Sequence, residues 1–253
     1  MSFAVTATAY DRFMGRYSVH LAPQFADLAG VSDGQRVLDV GCGPGALTSE
    51  LVARLGPDAV TAVDPSESFV EAARERHPGV EVRQAAAEDL PFGSEQFDAA
   101  LAQLVVHFMA DPVAGVREMA RVTRPGGVVA ACVWDHGGGQ GPLSPFWEAA
   151  HELDADVADE SALPGAAEGS LAELFRAAGL SQIEDAVLSV TVEHPTFDEW
   201  WQPFTLGVGP AGSYAARLDA TAQTRLRERC RELLPDEPFA LTARAWAARA
   251  RAG

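Results

Sequence analysis

The chain contains no lysine: all 19 of its basic residues are arginine. That absence removes every mechanism needing a lysine nucleophile or Schiff base, and with it the phosphate-gripping lysine of a P-loop. Positive charge as a whole is scarce. Against 36 acidic residues the arginines leave a formal net charge of −17. Such a surface repels phosphate backbones, whose binding requires clustered Lys and Arg to release counterions. Nucleic acids and anionic membranes are therefore not expected as partners. Cysteine is nearly absent. Cys42, Cys132 and Cys230 are odd in number, far apart and in no metal-ligand spacing, which argues against a disulfide framework or a bound metal and for a reducing, cytoplasmic compartment. No run of about 18 apolar residues exists, so no membrane span is expected. The first residues, Met1 to Tyr10, lack the basic start and apolar run of a signal peptide.

What is present is a pattern. The apolar fraction of 47% over 253 residues suffices for one large buried core. From Phe3 to Leu28 apolar residues recur at spacings of three and four, which predicts a helical cap over residues 1–30. From residue 36 short apolar runs alternate with helical segments. Strands are predicted over 36–40, 59–63, 80–85, 97–106, 128–134, 183–192 and 239–246. Helices are predicted over 46–55, 66–76, 112–121 and 171–178, with Asp111 capping the third and Pro112 at its first position. Residues 125–127, Pro-Gly-Gly, read as a turn. Strands separated by helices imply right-handed βαβ units and an α/β fold built on a doubly wound sheet. Two segments break the alternation, 136–169 and 195–235. Both read as insertions over one end of the sheet, leaving 31–135 as the ligand-binding core.

In an open α/β sheet, ligands bind beyond the carboxyl ends of the strands. The first such end is Val37-Leu38-Asp39-Val40-Gly41-Cys42-Gly43-Pro44-Gly45. Glycines there let the backbone turn sharply and approach a ligand. A dinucleotide site uses Gly-x-Gly-x-x-Gly, but here Leu47 stands where the third glycine would sit. Asp39, inside the strand, repels a diphosphate and suits an ammonium group. The second end carries Asp64, followed by Pro65 and Ser66. An acid about 20 residues past the glycine loop can accept both ribose hydroxyls; the plainer alternative is a helix N-terminal charge worth a few tenths of a kcal/mol. The third end, around Ala87, Glu88, Asp89, Leu90 and Pro91, can read an adenine edge or simply turn the chain.

Together these residues resemble the class I methyltransferases, in particular the ubiquinone/menaquinone-biosynthesis-like branch called type 11. The matching pieces are the VLDVGCGPG loop, Asp64, the AEDLPF loop followed by Phe97-Asp98, and the RVTRPGG turn, covering residues 30–135 in the family's order. The resemblance implies a Rossmann-like seven-stranded sheet of order 3-2-1-4-5-7-6 with its last strand antiparallel, and S-adenosylmethionine as cofactor. It implies that Gly41 and Gly43, with Cys42, line the methionine moiety, that Asp64 holds the ribose, and that Ala87 and Glu88 flank the adenine. Gln103 and Leu104, at the end of the fourth strand, complete the expected cofactor wall. Relatives place Asp or Asn at the position of Ala86, so the usual adenine amino contact is either missing or supplied by Glu88. The opening Tyr10-Asp11-Arg12-Phe13-Met14-Gly15-Arg16-Tyr17 resembles the cap of such enzymes, from which Tyr10 and Arg16 reach the cofactor's carboxylate or merely pack and carry surface charge.

Methyl transfer requires the acceptor in line with the S–CH3 bond and water excluded. A hydroxyl acceptor also benefits from a base, and His107 is the candidate, near neutral in titration and at the end of the fourth strand. His136 and His194 are weaker candidates of the same kind. Trp200, Trp201, Phe204 and Tyr214 either wall an acceptor pocket or form a core inside the second insertion. The reading is an enzyme acting on a small-molecule N, O or C nucleophile, as a monomer or homodimer. The competing readings are a cofactor-binding module without catalysis and a nicotinamide dehydrogenase.

Overall fold

A computed structural model describes residues 7–253; Phe3 and the rest of residues 1–6 in the predicted cap lie outside the described residues. In chain order the regular elements are α1 (Ala7–Tyr10), a π-helical stretch Asp11–Gly15, α2 (Arg16–Ala29), β1 (Val37–Val40), α3 (Ala46–Leu55), β2 (Val60–Asp64), α4 (Glu67–Arg76), β3 (Glu81–Gln84), β4 (Phe97–Gln103), α5 (Pro112–Val122), β5 (Thr123–Trp134), α6 (Ser144–Leu153), α7 (Ser170–Ala177), β6 (Ser181–His194), α8 (Phe197–Trp201), α9 (Gly209–Arg217), α10 (Ala220–Leu233) and β7 (Phe239–Arg251). The strands form one sheet of order β3-β2-β1-β4-β5-β7-β6. β3, β2, β1, β4 and β5 run parallel, and β7 is antiparallel to both neighbours. This is the order and orientation that the sequence resemblance implies.

The central strands are buried on both faces, which is why Val-Leu-Asp-Val and Val-Thr-Ala-Val-Asp read as runs instead of alternations. One face packs on α2 and α3 through Leu21, Phe25, Leu47 and Leu51, and the other on α5 and α7 through Val116, Met119, Leu171 and Phe175. Phe25 is fully buried; truncating such a ring costs about 3–5 kcal/mol. α5 begins as its sequence requires, with Asp111 Oδ1 accepting the Ala114 N–H at 3.0 Å and Pro112 needing no donor.

Three expectations are corrected. β4 ends at Gln103, not at 106, because Leu104 takes φ +62° and the chain enters a 3-10 turn, Val106–Phe108. β5 begins at Thr123, and the Pro-Gly-Gly segment loops out within it: Thr123 pairs with Phe97, and the ladder resumes at Val128 opposite Ala99. β7 runs on to Arg251, since Val128–Trp134 pairs along its whole length.

The two insertions pack on each other. Phe146 and Trp147 of α6 meet Trp200, Trp201, Phe204 and Leu226 in a third cluster that also takes Phe13. Phe146 and Phe204 stack with centroids 4.5 Å apart. The first insertion is pinned to the sheet by Asp135, which is fully buried. Its carboxylate accepts Arg244 Nε at 2.8 Å, Trp246 Nε1 at 2.9 Å and the Gly138 N–H at 2.8 Å. A buried charge this fully satisfied becomes strongly destabilising only when one partner is removed.

Candidate active site

The carboxyl ends of β1, β2 and β4 open into a cavity of about 510 Å³. β1 delivers the glycine loop. Gly41 has φ +72°, and a Cβ there would fall 2.4 Å from Val105 Cγ1, so only glycine lets the loop turn under the segment that follows β4. Gly41 and Cys42 donate their N–H groups to Val63 O at 2.8 and 2.9 Å, which splices the loop onto β2.

Asp64, at the end of β2, organises the floor. Its Oδ2 accepts the Gly43 N–H at 2.9 Å and its Oδ1 the Ser66 N–H at 2.8 Å. An ionised carboxylate has about four acceptor positions, so two remain for a ligand. Burial raises its pKa while these two bonds hold it down. Asp39 is more deeply placed, 1% exposed. Its Oδ2 accepts Thr48 Oγ1–H from α3 at 2.6 Å, and its Oδ1 has no partner. Burial pushes its pKa up to about 7, the Thr48 bond opposing. Gln103 donates through Nε2 to Ser18 O at 3.1 Å and leaves its Oε1 unpartnered.

Of the residues singled out by sequence for cofactor binding, Tyr10, Asp39, Gly41, Cys42, Gly43, Leu47, Asp64, Pro65, Ser66, Ala87, Glu88, Gln103 and Leu104 all line this cavity. Glu88 is half engaged, its Oε1 accepting the Ala110 N–H at 2.7 Å. Arg16 does not reach the cavity. It donates to Arg12 O at 3.0 Å and meets His194 Nδ1 at 3.1 Å. Ser18, two residues further along α2, does line the cavity. Sequence reasoning missed Ser18, Asp11, Phe69, Phe108 and Met109, which also line it. Phe69 was findable: it follows Ser66 by three on α4 and so shares its face.

His107 is elsewhere as well. It lines a second, smaller void of about 30 Å³ beneath the insertions, with His136, Trp134, Glu160, Leu143 and Val208. Tyr10, Leu104 and Phe108 wall both spaces. Burial holds His107 well below its ordinary pKa, and the nearby His136 adds to this; His136 itself falls to about 4 through burial. Both rings are neutral at pH 7. His194 instead bonds Tyr17 at 3.0 Å, and Trp200, Trp201 and Phe204 are buried in the core of the insertions, away from the large cavity.

The charge of the large cavity is one-sided: among the described residues Asp11, Asp39, Asp64 and Glu88 line it, and no arginine or histidine does. Residues 38–131 match the family described as a methyltransferase domain. Over those residues, less than half of the chain, it is similar to the class I methyltransferases of type 11 that its motifs resemble. A 2-methyl-6-phytyl-1,4-hydroquinone methyltransferase from Oryza sativa subsp. japonica is 40% identical over 115 residues, 44% of this chain and 31% of that protein. A fatty-acid O-methyltransferase from Mycolicibacterium smegmatis is 39% identical over 116 residues, 45% of this chain and 42% of its own length. These matches thus span less than half of either relative. A solved SAM-dependent methyltransferase from Thermotoga maritima superposes over 97% of this chain and 99% of its own, with TM-score 0.54 and 20% identity, a likeness of fold.

The cavity suits the cofactor of that family. A sulfonium nucleoside with an ammonium tail meets two buried acceptors lacking partners, Asp39 Oδ1 and Gln103 Oε1, and two spare acceptor positions on Asp64. A diphosphate meets four carboxylates and, among the described residues, no cation.

Proposed function

We propose that this protein is an S-adenosylmethionine-dependent methyltransferase acting on a small molecule. The observation that carries the reading is the cavity's lining, among the described residues, of four acids without a base, set at the strand ends where this fold takes its ligand. In this reading Asp39 and Gln103 hold the ammonium, Gly41, Cys42 and Gly43 approach the methionine portion, Asp64 accepts the ribose hydroxyls with Pro65 and Ser66 beside it, and Ala87 and Glu88 flank the adenine. Leu47 and Leu104 supply apolar wall. Tyr10 is the hydroxyl donor that remains for the carboxylate now that Arg16 faces His194. When bound, the sulfonium supplies an activated methyl group. The chain's own contribution is orientation and exclusion of water, and His107, buried and neutral, accepts a proton where the acceptor must lose one.

Calorimetry with S-adenosylmethionine, S-adenosylhomocysteine and NADH tests this. Binding of the first two and not the third is expected. Binding of NADH in their place would move the chain to the dehydrogenases, and binding with no S-adenosylhomocysteine formed on any acceptor would make it a cofactor-binding module.

A further inference from the structure

The small void under the insertions is walled mostly by carbon. Phe13, Met14, Leu143, Val208 and Pro210 contribute apolar surface. Set among them are polar atoms that the fold leaves unsatisfied. His107 Nδ1 and Trp134 Nε1 have no hydrogen-bond partner, although the two residues are only 6% and 2% exposed. An orphaned buried donor costs about 1–3 kcal/mol, so this pair marks a place built to be filled. Glu160 is buried beside them, its Oε2 accepting Trp147 Nε1–H at 3.0 Å.

We propose that this void is the acceptor pocket, and that it takes an uncharged, largely apolar molecule through a single hydroxyl group. The proposal rests on the transferase reading only for the word acceptor; the pocket's chemistry is independent of it. Trp134 Nε1–H can only donate, so its partner must accept. His107 Nδ1 donates or accepts according to tautomer. A hydroxyl, with one proton and two lone pairs, can pair with either atom whichever tautomer is present. A methyl group satisfies neither. A carboxylate would lose its hydration in an apolar site where no arginine stands among the described lining residues to pair with it. A protonated amine offers no lone pair to Trp134. The void as it stands has room for about one water, so a ring-sized ligand enters with displacement of the segment around Gly207 and Gly209, whose φ values of +72° and +63° mark where the backbone turns.

The test uses the full chain and the side-chain indole resonances in a 1H–15N correlation spectrum, the Trp134 signal being the one lost in Trp134→Phe. Phenol, toluene, benzoate and aniline are titrated, with and without S-adenosylhomocysteine. Phenol is expected to shift the Trp134 resonance and to bind at least about tenfold more tightly than toluene or benzoate, and Trp134→Phe is expected to remove that preference while toluene binding persists. His107→Gln, which keeps a polar side chain there, is expected to retain part of it. Equal binding of phenol and toluene, or tightest binding of benzoate, overturns the proposal while calorimetry with the nucleoside stands. Selective phenol binding by a chain that ignores the nucleoside upholds the hydroxyl pocket and ends the transferase reading.

Discussion

Asp11 in the π-helical stretch of the cap is ion-paired with Arg76 at the end of α4, and the same guanidinium donates to Pro44 O in the glycine loop at 3.1 Å. Asp11 also lines the large cavity, so one pair ties the cap, α4 and the glycine loop together at its edge. Both side chains are partly exposed, and such pairs are worth about 0–1 kcal/mol. Arg76→Ala is therefore expected to lower Tm by no more than about 4 °C yet to raise the dissociation rate of S-adenosylhomocysteine several-fold in stopped flow. An unchanged rate would reduce the contact to surface decoration.

Asp64→Asn keeps the shape of the side chain but replaces one acceptor oxygen with a donor. The Gly43 and Ser66 N–H groups then compete for the remaining oxygen, and the acceptor capacity left for a ribose falls. A loss of about 10- to 100-fold in nucleoside affinity is expected, the range of a charged hydrogen bond at about 1.5–3 kcal/mol. Calorimetry reads it, and affinity within twofold of the parent removes Asp64 from the ribose site.

Asp39 couples stability to pH with a definite sign. Its folded pKa, raised by burial to about 7, exceeds that of the unfolded chain. The folded state therefore holds a proton that the unfolded state has lost, and stability falls as pH rises from about 4 towards 7, then levels. Asp39→Asn removes that slope. The variant is expected to gain Tm over the parent progressively across this window and to keep the gain at pH 8, while binding the nucleoside more weakly. Thermal melts at pH 5 and pH 8 measure this; a constant Tm difference between them would contradict it.

The histidines act in the opposite direction. His107, His136 and His194 are held neutral by burial below their usual pKa, so the unfolded chain takes up protons first as pH falls below about 6.5, and stability declines there. For turnover, His107→Gln is expected to cost about 100-fold in kcat with nucleoside affinity unchanged. Because His107 titrates well below neutrality, its loss should not move any limb of the kcat profile lying near pH 6.5. Near-parental kcat would leave orientation as the whole of catalysis.

Most of the sheet was legible because its strands are short apolar runs ended by Gly, Asp or Pro, each a local signal. The end of β4 was not, since Leu104 adopts a left-handed conformation that only its tertiary setting compensates. Site residues at strand ends, such as Asp39 and Asp64, could be found by spacing. Arg16 and Ser18 could not be assigned to faces, because the π-helical stretch before them is invisible to a 3.6-residue period. His107 and Trp134, with their unpartnered nitrogens, are 27 positions apart in the chain and line one void only because β4 pairs with β5.

Among the described residues just three side chains, Tyr10, Leu104 and Phe108, are shared between the two hollow spaces. Leu143 and Val208 touch the smaller one alone. Descendants of this chain can thus swap those residues to suit a different guest while the nucleoside cradle is inherited unaltered, a division of labour that lets one half of the molecule drift without disturbing the other.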